Sequence, residues 1–421
     1  MKRTIITLLG CFCLCGQDAT IRVDVQQVVV PVIVSDKSGR HISGLKESDF
    51  RLLEDGVPQK LASFAGGPSA SGTYVICIDT LHTSPASAAR LRDTLEKLFE
   101  GAKLGEAQYV LIGIGRQLRV LQTATSNPLA ILTKLRSPGF QQNFGGYDES
   151  AFEAQLNGLR SRMDEFCKRC ACSARAAQTA CSGEIEALKQ NVDSEAAPWT
   201  ALAKGLLDQF RSVTDELAKI PTARTMIFVS DGFELDPRRE FYRVVSGYLP
   251  GRPQFQITES IDANLTAVLK VAADKNIRID AVDSRAGTAA PSLASAGPMD
   301  AGTVANNSGT TALGTLRPNA NPGARGTYLG NSPIPSAPTI TEPSRNMEEL
   351  ANLTGGVYSH ASDLLKEFRN ALGDGRDFYV LTYVPQNTSQ DGAFRRITVE
   401  TAEKKFTIRA KSGYWAPVAA Q

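Results

Sequence analysis

Two short segments hold the residue types from which a site could be built. One is Ile78-Asp79-Thr80-Leu81-His82-Thr83, the other Val229-Ser230-Asp231-Gly232. Each closes an apolar run, Tyr74 to Ile78 and Thr225 to Val229, that reads as a strand buried on both faces. In an open parallel sheet, ligands bind beyond the carboxyl ends of the strands, where the strand order reverses. If these two strands are neighbours, Asp79 and Asp231 meet at one rim with hydroxyls close by. Paired carboxylates repel unless a cation stands near them. Hard oxygen donors without nitrogen or sulfur suit Mg²⁺ or Ca²⁺, with water in the open positions. The plainer alternative makes Asp79 and Asp231 helix-capping or strand-end acids with no metal. His82 reads as a solvent-facing loop residue, since no activated nucleophile is apparent beside it. Asp280 reads as finishing a strand, and Asp283 could add to the rim.

The cysteines form a second cluster. Cys167, Cys170, Cys172 and Cys181 have the spacing C-x2-C-x-C-x8-C, while Cys77 sits alone in an apolar run and reads as a small core residue. In an oxidising compartment the four are expected to form two disulfides, with Cys170–Cys172 the least favourable pairing. In a reducing one they could be a thiol or metal site, although the paired C-x2-C arrangement of a zinc ribbon is missing and no histidine is near. Only three histidines occur, which excludes a His-rich metal site. No P-loop, G-x-S-x-G or H-E-x-x-H is present, and Gly113-Ile114-Gly115 reads as a hairpin turn.

The elements that must position these groups alternate in type. Strands are predicted at 74–79, 109–114, 118–123, 225–230 and 277–282, and helices at 87–99, 128–135, 199–217, 262–275, 346–353 and 362–372. That alternation predicts an α/β fold, a mostly parallel sheet covered by helices on both faces. The β-rich segments lie at the two ends. Ile21 to Val34 reads as one long strand or two bent at Pro31, Asp55-Gly56 as a hairpin turn, and Gln59 to Phe64 as a returning strand. Phe378 to Val384, Phe394 to Thr401 and Phe406 to Ala410 complete the set. One small β-sandwich, 18–66 with 377–416, is therefore expected, with an α/β domain at 72–376 inserted into it. Two insertions interrupt the latter: a cysteine-containing helical hairpin at 147–192, and a Gly-, Ala-, Pro- and Ser-rich flexible loop at 286–344. Tyr414 and Trp415 read as packing anchors for the last strand.

Lys plus Arg number 46 and Asp plus Glu 44, a net charge of +2 on 421 residues, which argues against a nucleic-acid partner. A hydrophobic content of 42% and a charged content of 21% are those of an ordinary globular chain, long enough for two or three compact units. No apolar stretch reaches the ~20 residues that span a bilayer. Met1-Lys2-Arg3 and the apolar run after it match a signal peptide over 1–17. Leu8-Leu9-Gly10-Cys11 also resembles a lipobox, with Cys11 as a lipid anchor. Export to the periplasm, the outer membrane or the exterior is the expectation.

The order strand–Asp-x-x-x-Thr–helix followed by strand–Ser-Asp-Gly resembles a von Willebrand factor A domain with its metal-ion-dependent adhesion site. The flanks Val30-Pro31-Val32-Ile33-Val34-Ser35-Asp36-Lys37-Ser38-Gly39, Leu53-Glu54-Asp55-Gly56-Val57-Pro58-Gln59, Leu353-Thr354-Gly355-Gly356 and Lys411-Ser412-Gly413-Tyr414-Trp415 resemble the acidobacterial-type VWFA-related proteins. The likeness covers about 20–136, 199–285 and 345–416. It implies a Rossmann-like domain and a metal site at Asp79, Thr83, Asp231 and Thr200, the last opening the long helix. Leu81 departs from the pattern, standing where a serine is expected. The resemblance further implies a non-enzymatic adhesion module whose Mg²⁺, or Mn²⁺ or Ca²⁺, is met by an acidic residue of a protein or cell-surface ligand. The alternatives are a structural cell-envelope protein with a non-functional site, or a thiol- or metal-dependent protein using Cys167 to Cys181.

Overall fold

Three sheets order the chain in the computed structural model, which describes residues 27–68, 72–102, 106–142, 144–170, 172, 181–220, 223–249, 255, 262–285, 342–360, 363–403 and 405–419. The expected signal peptide, Cys11 and all of the 286–344 loop but its last three residues lie outside these residues.

The central sheet has six strands. β5 (Gly72–Asp79), β6 (Gln108–Ile114), β7 (Arg119–Thr125), β8 (Ala223–Ser230), β9 (Arg278–Asp283) and β10 (Tyr358–Ser359) lie in the order β10-β9-β8-β5-β6-β7. All neighbours are parallel except β6 and β7, which form a hairpin. Alternation along β5 explains the helical layers. Tyr74, Ile76 and Ile78 join one cluster with Leu91, Leu95 and Phe99 of α1 (Pro85–Phe99). Val75 and Cys77 join the opposite cluster with Leu206 and Phe210 of the long helix α5 (Ser182–Ala218). Every residue of β5 is buried, as the unbroken apolar run requires. This is an α/β unit.

The chain ends meet in two four-stranded antiparallel sheets. β1 (Val28–Ser35) lies between β13 (Thr407–Ala410) and β11 (Asp377–Tyr383), with β4 (Leu61–Pro68) beyond β11. β12 (Phe394–Thr401) lies between β14 (Gly413–Trp415) and β2 (Phe50–Glu54), with β3 (Val57–Gln59) beyond β2. One hydrophobic cluster draws Val30, Val32 and Leu381 from the first sheet and Leu52, Ile397 and Tyr414 from the second. Its one buried carboxylate is Glu54, which accepts from Tyr383 Oη at 2.5 Å and Tyr414 Oη at 3.0 Å. Asp55 and Gly56 both take positive φ, the geometry of a tight hairpin turn between β2 and β3.

Several boundaries differ from the sequence reading. α5 is one helix of 37 residues, so the second arm of the 147–192 hairpin and the helix expected from Trp199 are continuous. Thr200 therefore stands mid-helix and opens nothing. The helix before β10, α8 (Glu342–Thr354), starts inside the segment read as loop, and Ser344 is buried. A further helix, α6 (Arg238–Tyr248), was not foreseen. Between them lies α7 (Asp262–Asp274), and α9 (Leu364–Asp374) leads into β11.

The first arm of the cysteine hairpin is α4 (Glu149–Cys170). Cys167 pairs with Cys172 and Cys170 with Cys181, the two-disulfide arrangement expected of an oxidising compartment. Phe152, Leu156, Met163 and Phe166 of α4 pack with Val192 and Trp199 of α5 and Phe241 of α6 in a core of their own. The Cys170→Ser, Cys181→Ser double variant should lose about 2–3 kcal/mol through the freed unfolded loop. Urea unfolding followed by tryptophan fluorescence at Trp199 reads this directly, and an unchanged midpoint would count against the staple.

Candidate metal centre at the strand-end rim

Reversal of strand order falls between β5 and β8. β6 lies on one side of the pair and β9 on the other. Their register, Ile78 opposite Val229, brings Asp79 and the Ser230-Asp231 pair out at the same end. The loop after β5 then knits them together. Thr83 N donates to Asp79 O at 3.2 Å, and the next amide, Ser84 N, donates to Asp231 Oδ2 at 2.9 Å. Ser84 also caps α1, accepting from Ser87 N.

Asp79 is fully buried and fully engaged. Its Oδ1 accepts from Leu81 N at 2.9 Å and His82 N at 3.0 Å. Its Oδ2 faces Ser230 Oγ at 2.7 Å and His82 Nδ1 at 2.8 Å. Two partners on each oxygen use the carboxylate's four lone-pair positions. His82 is thus no solvent-facing loop residue. Its side chain is 10% exposed and its ring lies 5.0 Å from that of Tyr147.

Asp231 is less committed. Oδ2 accepts from Ser84 N and Oδ1 from Ser284 Oγ at 2.6 Å, which leaves a lone pair on each oxygen. The hydroxyl of Thr83 is buried and has no hydrogen-bond partner. Thr200 does not join them, because its hydroxyl donates to Ala196 O at 3.1 Å within its own helix. Asp283 is held by Arg285 at 2.7 Å and Tyr358 Oη at 3.2 Å. Asp280 is held by Arg278 at 2.7 Å.

A hard cation therefore meets a donor set different from the one expected. Asp79 has no lone pair to offer while His82 and Ser230 stay in place. Leu81 is buried and has no oxygen, and Thr200 is turned away. Thr83 Oγ1 and Asp231 remain, an orphaned buried hydroxyl beside a carboxylate with spare capacity. That pair fits an ion that keeps most of its water. Among the described residues, the one trio of His, Cys, Asp or Glu ligand atoms within 4.8 Å is Cys170, Cys181 and Glu184, whose two sulfurs are bonded to each other.

The rim is also partly roofed. Gly146 N donates to Thr80 O at 3.3 Å, Tyr147 N to Leu81 O at 2.8 Å and Gly145 N to Thr83 O at 3.0 Å. This segment leads into α4. Tyr147 contacts Trp199 at 5.0 Å and Phe152 at 5.7 Å, so the disulfide-stapled hairpin adjoins the strand-end loop. Burial raises the Tyr147 hydroxyl's pKa above the ordinary phenol value. Sequence reading missed Ser284 because its role depends on β8 and β9 being neighbours, with Ser230 opposite Asp283.

No protein-family model and no curated protein matches the chain. Solved structures that the chain matches include a von Willebrand factor type A protein from Catenulispora acidiphila, at 9% identity over 90% of this chain and 75% of that one, with a TM-score of 0.33. An aerotolerance-related membrane protein from Bacteroides fragilis matches at 9% identity over 72% of this chain and 99% of its own, with a TM-score of 0.32. The manganese-loaded TRAP protein of Plasmodium vivax matches at 9% over 86% and 97%, with a TM-score of 0.26.

Proposed function

We propose that the chain is an exported, non-enzymatic binding module of the von Willebrand A type, taking a protein or surface ligand at the strand-end rim. One observation carries the reading. At the point where strand order reverses, the loop whose amides at Thr83 and Ser84 bond Asp79 and Asp231 carries a buried hydroxyl without a partner, that of Thr83. Two disulfides support export, since such bonds persist in oxidising compartments. Among the described residues no helix is long and apolar enough to cross a membrane. His82 with Asp79 has the base-and-orienter form of a hydrolytic dyad, but among the described residues no hydroxyl or thiol bonds the ring to serve as nucleophile.

Thr83 and Asp231 would hold a divalent ion, Mg²⁺ first and Mn²⁺ or Ca²⁺ as alternatives, and the ion would offer an open position to an acidic side chain of the partner. Asp79 stays a structural member unless His82 leaves it. Calorimetric titration with Mg²⁺ and Mn²⁺ tests this. Asp231→Ala should abolish binding, and His82→Ala should tighten it about five- to tenfold by freeing an Asp79 lone pair, worth about 1 kcal/mol. If the wild type and Asp231→Ala give the same absence of binding, the metal reading fails. What then stands is a structural envelope protein, which the saturated Asp79 and the 145–147 roof favour.

A further inference from the structure

Away from the rim, where the terminal sheets meet the opposite end of the α/β unit, lies a cavity of about 390 Å³. That volume is within the range of small-molecule sites. One wall is the outer face of β1 and β11. Val28, Val30, Val32 and Leu381 turn into the terminal core, so Val29, Ile33, Phe378 and Val380 face the other way and line the cavity. This sheet is apolar on both faces, and its second face is only partly covered.

The opposite wall is cationic. Arg224, Arg278 and Lys411 line it, with Asp374 the one carboxylate among the lining residues. Asp374 is already shared by Arg409 and by His41 at 3.1 Å. Lys411 is 5% exposed, and its Nζ donates to Ala273 O at 3.0 Å and Asn276 Oδ1 at 2.8 Å. An ammonium has three donors, so one is unspent. Arg278 is 8% exposed, and its Nη2 donates to Ala371 O at 2.6 Å and pairs with Asp280 at 2.7 Å. Its Nε and Nη1 are buried without a hydrogen-bond partner, Nη1 lying 3.9 Å from the Asp374 carboxylate. Leaving such donors unmet costs about 1–3 kcal/mol each. Behind the wall, burial pushes the carboxyls of Asp280 and Asp274 up, opposed by Arg278 at the first and by lysines, Lys411 among them, at the second.

We propose that this cavity binds a small amphiphilic carboxylate, its head met by Arg278 and Lys411 and its hydrocarbon body laid along Val29, Ile33, Phe378 and Val380. One guanidinium and one ammonium suit a single carboxylate, and the wall facing them offers Val29, Ile33, Phe378 and Val380 for apolar contact. Burial lowers the Lys411 ammonium to about 8, with the charge of Asp274 opposing the shift only in part.

Octanoate is the probe, titrated calorimetrically into the full chain at pH 7, with octan-1-ol as the neutral analogue. Expected is one site per chain, with octanol at least tenfold weaker. Lys411→Met should weaken octanoate tenfold or more. Val380→Phe fills the space and should abolish binding while the unfolding midpoint is kept. No binding by the wild type overturns the proposal, as does octanol binding as tightly as octanoate or Val380→Phe binding like the wild type. If Lys411→Met does not fold, the octanol and Val380→Phe arms decide alone.

Discussion

Asp79→Ala is expected to lose about 4 kcal/mol of unfolding free energy, as read from the urea midpoint at constant slope. Four donors converge on that carboxylate, from Leu81 N, His82 N, His82 Nδ1 and Ser230 Oγ. The side chain is fully buried, so water cannot replace it without opening the loop. Each buried group left unmet costs about 1–3 kcal/mol, and partial relaxation keeps the sum below the full total. Asp79→Asn should recover only part of the loss, because its amide nitrogen cannot accept from Ser230 or His82. Asp231→Ala should cost under about 1.5 kcal/mol, since two hydrogen bonds at a half-buried group are at stake. A wild-type midpoint for Asp79→Ala would mean the carboxylate is not a latch and is available to a ligand.

An alanine at Gly356 should be still more damaging, with about 4 kcal/mol or more lost, or no folded chain recovered. A Cβ there would sit 1.9 Å from Ile279 O and 2.5 Å from Ile279 C. Both are backbone atoms of β9, a central strand that cannot step aside. The preceding Gly355 takes φ of 79°, and a Cβ on it would meet Lys411 N at 2.7 Å. The end of α8, β9 and the link from β13 to β14 therefore touch backbone to backbone at this Gly-Gly pair. Gly205→Ala in α5 is the control. A Cβ there meets nothing within 4 Å, and removing a helical glycine should stabilise by up to about 1 kcal/mol. Circular dichroism melts of the two variants should move in opposite directions.

The strands of the central sheet were legible because burial on both faces leaves unbroken apolar runs such as Tyr74 to Ile78. Asp55-Gly56 was legible because two consecutive positive φ values suit few other residue pairs. The long helix is expected from sequence as two pieces, one in the 147–192 hairpin and one from Trp199, yet Pro198 stands inside a single helix. Its stripe of Val192, Ala196, Trp199 and Ala203 packs without a break through that position, and tertiary burial overrides the missing N–H. At the rim, the two aspartates could be picked out from strand ends, whereas the engagement of His82 with Asp79 could not. It depends on a tight loop whose amides at 81 and 82 turn back onto the carboxylate, a geometry with no periodic signature. The cavity beside Lys411 was equally hidden, because its walls come from separate segments spread between Val29 and Lys411.

At 1.5 Å per residue the 37-residue α5 reaches roughly 55 Å. It begins beside the Cys170–Cys181 bond and ends just before β8, the strand that delivers Asp231 to the opposite edge of the sheet. The helix is in effect a lever with a covalently locked tip. One continuous helix thus separates the disulfide staple from the strand that carries Asp231.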